Sequence, residues 1–234
     1  GTNEILSANR NSLQLFDMLH SMRQFDDLTY VHSVNVALIA SILGQWLKFS
    51  EKDIRILTIS GLLHDIGKIM IPNEILTKPG KLTVAEYNIM KQHVNFGYEK
   101  VKNQNIDIRI KEACLLHHEK CDGTGYPFGL KSDHIPAVAK IIAIADVYDA
   151  MTSARVYRGA LCPFEVIDTM YKDAFTKFEP EYILPFLKNV ASSYINNDVR
   201  LSDGRIGKVV LINENALSLP IVQCEDEFID LSKT

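Results

Sequence analysis

The adjacent pair His64-Asp65 constrains the fold more than any other feature of this chain. Neighbouring imidazole and carboxylate side chains can face one metal site, which a distant His32 and a distant Asp146 can close. His93 and the pair His117-His118 lie between these positions. That is too many imidazoles and carboxylates for one cation. The chain must therefore draw well-separated segments around a polynuclear site. Such sites in clefts typically activate water against phosphate esters.

The remaining composition narrows the setting. With 234 residues, 47% of them hydrophobic, the chain can bury one large core. A formal net charge of -4 argues against a long nucleic acid as partner. It leaves room for a small anionic substrate, because metals and local positive charge outweigh a mildly acidic total. Cys114, Cys121, Cys162 and Cys224 show no CxxC spacing, so neither a disulfide framework nor a zinc knuckle is expected. A reducing, cytoplasmic setting follows as the plain expectation. No apolar run is read as a membrane segment, and the N-terminus lacks the basic and apolar parts of a secretion signal.

Apolar spacing predicts a mostly α fold over residues 1–194. Leu13, Leu15, Phe16, Met18, Leu19 and Met22 mark a first amphipathic helix. Val31, Val34, Ala37, Leu38, Ile42 and Leu43 mark a second, with His32 near its start. Ser50 caps a third, which carries Ile54 to Leu63 and places His64-Asp65 at its C-terminal end, with Gly67 as the break. One short helix is expected between Pro72 and Pro79. The capping box Thr83/Glu86 puts His93 on a helix, and residues 106–119 form another, ending in His117-His118. Cys121 to Pro127 must be a loop, since its glycines and proline break regular structure. Pro136, Pro163 and Pro180 suit helix starts. After about residue 200 the period changes. Val209 to Ile212, Leu219 to Val222 and Phe228 to Leu231 predict a three-stranded sheet. The division is an N-terminal helical segment (1–27), a helical domain (28–197) and a small β extension (198–234).

Each chemical candidate has a plainer reading. His64-Asp65 could be a hydrogen-bonded pair ending a helix, but that leaves His117-His118 before a glycine-rich loop unexplained. Asp65 is suited to bridge two cations, since a shared carboxylate lowers their repulsion. Asp146 follows Ala143-Ile144-Ala145, where a carboxylate is rarely buried without a partner. Asp149, three positions on, shares its face. Lys68 sits one turn after the pair and suits a phosphate. Arg155 and Arg158 flank Tyr157 and offer forked donors for phosphate or a guanine edge. Tyr126 and Tyr157 are either base platforms or core aromatics. The Gly123/Gly125 loop lacks the lysine and hydroxyl of a P-loop, which disfavours ATPase chemistry.

Three stretches taken together carry a family resemblance. They are His64-Asp65-Ile66-Gly67-Lys68, the run from His117 to Pro127, and Ala145 to Ser153 with Arg155, Tyr157 and Arg158. In order and spacing the chain resembles the HD-GYP family of bacterial cyclic-dinucleotide phosphodiesterases over residues 28–193. The resemblance implies an HD-type helical domain that hydrolyses cyclic di-GMP with metal-activated water to pGpG, with further cleavage to GMP left open. It assigns His32, His64, Asp65 and Asp146 to the basic HD site, and His93, His117 and His118 to a second metal's region, with Asp65 as bridge and catalytic centre. Lys68 would stabilise phosphate. Asp122, Gly123, Gly125, Tyr126 and Pro127 would shape the substrate loop, and Arg155 and Arg158 would hold the substrate. Two divalent ions are implied, Fe or Mn preferred, with Ni, Co or Zn compatible with the donors. A homodimer is implied as well. Leu28 stands where some members carry a glutamate for a third metal, with Asp26 and Asp27 the nearest carboxylates. Ala154, Val156 and Cys121 also depart from the usual pattern, which bears on base selection. Two other readings stand beside the first: a catalytically weak cyclic-dinucleotide receptor, and a phosphodiesterase for cyclic GMP-AMP.

Overall fold

A computed structural model describes residues 17–153 and 161–233. Residues 17–25 form α1, which buries Met18 and Met22; Leu13, Leu15 and Phe16 of the expected first helix lie outside the described residues. Helix α2 (Asp27–Trp46) starts at Asp26, whose carboxylate accepts from the Leu28 and Thr29 amides. That bond fills two of the four orphan donors of the first turn. Helix α3 (Glu51–Leu63) starts at Ser50, whose hydroxyl accepts from the Asp53 amide. After α3 come a five-residue 3-10 turn, Ile66–Met70, and α4 (Asn73–Leu76). Helices α5 (Val84–Met90), α6 (His93–Val101), α7 (Ile108–Leu116) and α8 (Ala137–Thr152) follow. Helices α9 (Pro163–Asp173) and α10 (Pro180–Ser193) complete the helical part, each with its proline in the first turn.

Helices α2, α3 and α8 make the centre of the core. Their close approach depends on small residues. A Cβ on Gly61 of α3 would sit 2.5 Å from the Ala37 Cα of α2. Around that contact Leu43, Leu57, Ile141, Ile142 and Phe186 are fully buried. Each such side chain contributes roughly 1.5–3 kcal/mol relative to exposure. Contrary to the expectation that no segment is long and apolar enough to cross a membrane, α2 meets that description by length and composition, with 20 residues that include an 18-residue stretch of mean hydropathy 1.2. Its buried residues Val36, Ala40 and Leu43 pack in the protein core.

The C-terminal extension is a four-stranded antiparallel meander, β1 (Asp198–Arg200), β2 (Ile206–Leu211), β3 (Ile221–Cys224) and β4 (Glu227–Asp230). The expected sheet had three strands. Strand β1, with Asp and Arg at its ends, is too short and polar to show a period-2 pattern, and pairing with β2 makes it a strand. Val209, Val222, Cys224 and Ile229 form the sheet's own small core.

Candidate metal centre

Four helix termini and two helix interiors deliver the candidate ligands. His32 lies in the second turn of α2 and Asp146 within α8. His64 ends α3, and Asp65 opens the 3-10 turn. His93 is the first residue of α6, and His117-His118 follow directly after α7. Gly67 does not break the chain as expected; it lies inside the 3-10 turn. Its value is its missing side chain, since a Cβ there would sit 1.9 Å from the His93 carbonyl oxygen and 2.4 Å from the Gly97 amide nitrogen. This backbone contact brings the start of α6 against Asp65. The helix expected to run to 119 ends at Leu116, freeing both histidines from regular helix. His93 is on a helix as expected, but on α6, which is separate from capped α5.

Asp65 is buried and divides its two oxygens between two sets of imidazoles. Its Oδ2 lies 3.3 Å from His64 Nε2 and 3.7 Å from His32 Nε2. Its Oδ1 lies 3.4 Å from His93 Nε2 and 3.9 Å from His117 Nε2. His32 Nε2 also meets Asp146 Oδ1 at 3.0 Å, and His118 Nδ1 stands 3.8 Å from Asp146 Oδ2. The donor atoms thus fall into two groups, His32/His64/Asp146 and Asp65/His93/His117/His118, each mutually within 4.8 Å.

The outer nitrogens fix which lone pairs point inward. His64, His93 and His117 place Nδ1 at 2.7, 2.8 and 2.9 Å from the carbonyls of Gly61, Met90 and Ala113. A carbonyl only accepts, so Nδ1 carries the proton and Nε2 presents a lone pair to the cluster. His32 Nδ1 bonds Asp149 Oδ2 at 2.6 Å, and Asp149 Oδ1 accepts from Asn35 and Ser153. Asp149 thus orients His32, and Asn35 is a supporting residue that sequence patterning missed. The inward His93 and His117 Nε2 atoms face each other at 3.4 Å. Buried His64 Nε2 and Asp65 Oδ1 have no hydrogen-bond partner among the described residues. Facing lone pairs and orphaned buried acceptors suit cations, so the donor set fits divalent metals.

The local fields keep three of the imidazoles, those of His93, His117 and His118, in ligating form. Burial, reinforced by His118, His64 and His93, holds His117 well below the usual histidine range. Burial likewise depresses His93 and takes His118 to about 3. His32 goes the other way. Burial opposes its charge, but hydrogen bonds to Asp146 and Asp149 raise it to about 9. In metal-free protein the depressed histidines stay neutral when folded and protonate near pH 6.5 when unfolded, so stability falls as pH drops below about 6.5. The His32 contribution is complete below about 6.5 and is lost as pH rises through about 9. The three depressed histidines outnumber it. Thermal melts in chelator are expected to fall by several degrees from about pH 7 to about pH 5. A flat profile would contradict this assignment of charge.

The loop after His118 is held by Glu119, a second residue that sequence patterning missed. Its buried carboxylate accepts from the backbone amides of Phe128 (2.7 Å), Gly129 (3.1 Å) and Leu130 (2.8 Å). The available signal was an acid directly preceding a glycine- and proline-rich loop whose amides lack regular partners. Gly123 takes φ +84°, and Gly125 packs where a Cβ would sit 2.5 Å from the His118 carbonyl. Asp122 caps a local turn through Thr124. The result lays the Tyr126 ring on His118, centroids 4.7 Å apart and 26° between planes, followed by a cis bond to Pro127. Lys68 Nζ donates to Asp65 Oδ2 at 2.5 Å from the edge of the cluster. Leu28 is 67% exposed and offers no donor, while Asp26 is committed to capping α2. Arg155, Tyr157 and Arg158 lie outside the described residues, as do Ala154 and Val156. Glu119→Gln keeps the shape but removes an acceptor and the charge. We expect stability to fall by about 1.5–3 kcal/mol with metal content unchanged, since that is what hydrogen bonds to charged groups contribute. Metal analysis beside denaturant unfolding would check this, and unchanged stability would deny Glu119 its part in holding the loop.

Comparison with known proteins places these features in context. Residues 11–182 match the family described as HD domain. The chain is 36% identical over 203 residues to cyclic di-GMP phosphodiesterase PA4108 of Pseudomonas aeruginosa, covering 86% of this chain and 49% of that protein. It is 37% identical over 173 residues to the 3'3'-cGAMP-specific phosphodiesterase 1 of Vibrio cholerae, covering 73% of this chain and 38% of that one. The chain thus spans half or less of the length of these relatives. The HD domain of L. monocytogenes phosphodiesterase PgpH, solved with cyclic-di-AMP, shares the fold at TM-score 0.58 and 18% identity. That match covers 76% of this chain and 95% of that one.

Proposed function

Because the chain belongs to the HD-domain family, we propose that it is a metal-dependent phosphodiesterase that opens cyclic dinucleotides, cyclic di-GMP foremost. The observation that carries this reading is the Asp65 carboxylate, shared between two imidazole sets. His32, His64, Asp65 and Asp146 would hold one ion, and Asp65, His93, His117 and His118 the other. Divalent ions bound there supply Lewis acidity and activate water at neutral pH. Donors of nitrogen and oxygen without thiolate suit Fe, Mn, Ni, Co or Zn, and the family resemblance favours Fe or Mn. The protein's own part is to hold the imidazoles of His64, His93 and His117 with Nε2 turned inward, through the carbonyls of Gly61, Met90 and Ala113.

Lys68 places one positive charge at the cleft edge, with its side chain 23% exposed and thus within reach of a bound phosphate. Its ammonium offsets negative charge that develops on the phosphoryl oxygens. Lys68→Ala is expected to lower kcat about 100-fold while both ions are retained. Metal loss would instead make Lys68 a structural partner of Asp65. The 3'3'-cGAMP-specific relative favours cyclic GMP-AMP as the second reading of the same site. Purified protein, loaded anaerobically with Fe or Mn and given each dinucleotide, tests both by product chromatography. Linear pGpG supports the first reading. Tight binding without product under every metal condition would make the protein a receptor.

A further inference from the structure

Beyond the ligand clusters the structure sets out a row of rings. Tyr126 stacks on His118, and Tyr87 meets Tyr126 edge-on with centroids 6.5 Å apart. Lys91 closes the row, its Nζ 5.3 Å from the Tyr87 centroid and 6.0 Å from that of Tyr126. These rings are the ammonium's only partners among the described residues, whereas Lys78 and Lys102 are spent on Glu86 and Glu99. Tyr87 is 48% exposed although it lies beside the site. The row is also anchored. Met90 ends α5 next to Lys91, and its carbonyl accepts from His93 Nδ1. The position of the shelf is therefore tied to a candidate ligand.

We infer that Tyr87 and Lys91 form a purine-reading shelf for the substrate, with Tyr87 stacking a guanine and Lys91 donating to its O6 and N7. The inference rests on the cyclic-dinucleotide reading above and adds two residues to it. Two arguments favour a base over a phosphate here. Ring faces carry negative quadrupole density, which repels an anion and welcomes a neutral base. The ammonium has donors left over after its ring contacts and needs acceptors. Guanine presents two adjacent acceptors on that edge, whereas adenine presents one acceptor and one donor. The shelf therefore selects guanine.

Steady-state kinetics of the metal-loaded protein test this with cyclic di-GMP, cyclic di-AMP and bis(p-nitrophenyl) phosphate, a diester without a purine. Lys91→Met is expected to raise the KM for cyclic di-GMP about tenfold, with kcat within about threefold. The KM for the two other diesters should move far less, and Lys91→Arg should recover most of the loss. Tyr87→Leu should weaken both cyclic dinucleotides alike, because stacking is blind to the base edge. Equal losses on all three diesters for Lys91→Met would make Lys91 structural and overturn the shelf. Unchanged kinetics would overturn it too, while cyclic di-GMP turnover left the parent reading intact. Wild-type protein that cleaves only the purine-free diester, and binds no cyclic dinucleotide, would remove both.

Discussion

Asp65→Ala is expected to release both ions together and to lower cyclic-dinucleotide turnover by at least about a thousandfold. Losing an outer partner of a ligand typically costs roughly 10–100-fold, and Asp65 stands closer than that, since it would offer an oxygen to each ion. Its oxygens lie 3.3 Å from His64 Nε2 and 3.4 Å from His93 Nε2, so neither set keeps a carboxylate at the shared position. The fold should survive. Burial opposes the charge on this carboxylate in metal-free protein, but Lys68, His64 and His93 hold it well below the usual carboxylate range, so its removal costs some stability. Lys68 keeps contact with water after losing its partner. The metal-free variant should therefore melt a few degrees below the metal-free parent while still unfolding cooperatively, and only the parent should gain stability when metal is added. Near-native turnover with both ions retained would remove Asp65 from its role.

Gly67→Ala should do its damage through the backbone. Elsewhere in a helix the change would favour folding slightly. Here the new methyl would meet the His93 carbonyl oxygen at 1.9 Å and the Gly97 amide at 2.4 Å, and neither atom can rotate away. Helix α6 must shift, taking His93 from its position 3.4 Å from Asp65 Oδ1. A loss of about 3 kcal/mol in stability is expected, together with weakened binding at the His93 cluster. Denaturant unfolding of the metal-free variant and metal titration check the two parts separately. Gly80→Ala is the comparison, since nothing lies within 4 Å of that position and its cost comes from φ +105° alone. Equal effects at both positions would mean that the close contact is not what matters.

Much of this was legible from residue patterning. The caps at Ser50 and Thr83 and the prolines opening α9 and α10 follow from local chemistry, and the convergence of His32, His64, Asp65, His93, His117, His118 and Asp146 was expected from the number of imidazoles and carboxylates and from the family resemblance that their motifs carry. What escaped depends on contacts between distant segments. Gly67 looks like a helix stop in sequence, because its contact with α6 is invisible there. Strand β1 exists only through its pairing with β2. The Glu119 carboxylate finds its amides nine to eleven residues along a loop without periodicity. Asn35 reads as an ordinary polar position on α2 until α8 brings Asp149 to it.

The shared carboxylate is tested most directly by anomalous diffraction from crystals of the protein loaded with Mn. Two peaks per chain are expected. One should lie among His32, His64 and Asp146 and the other among His93, His117 and His118, with one Asp65 oxygen on each. A single peak, or a fully occupied third peak beside His32 where Leu28 offers no donor, would contradict it.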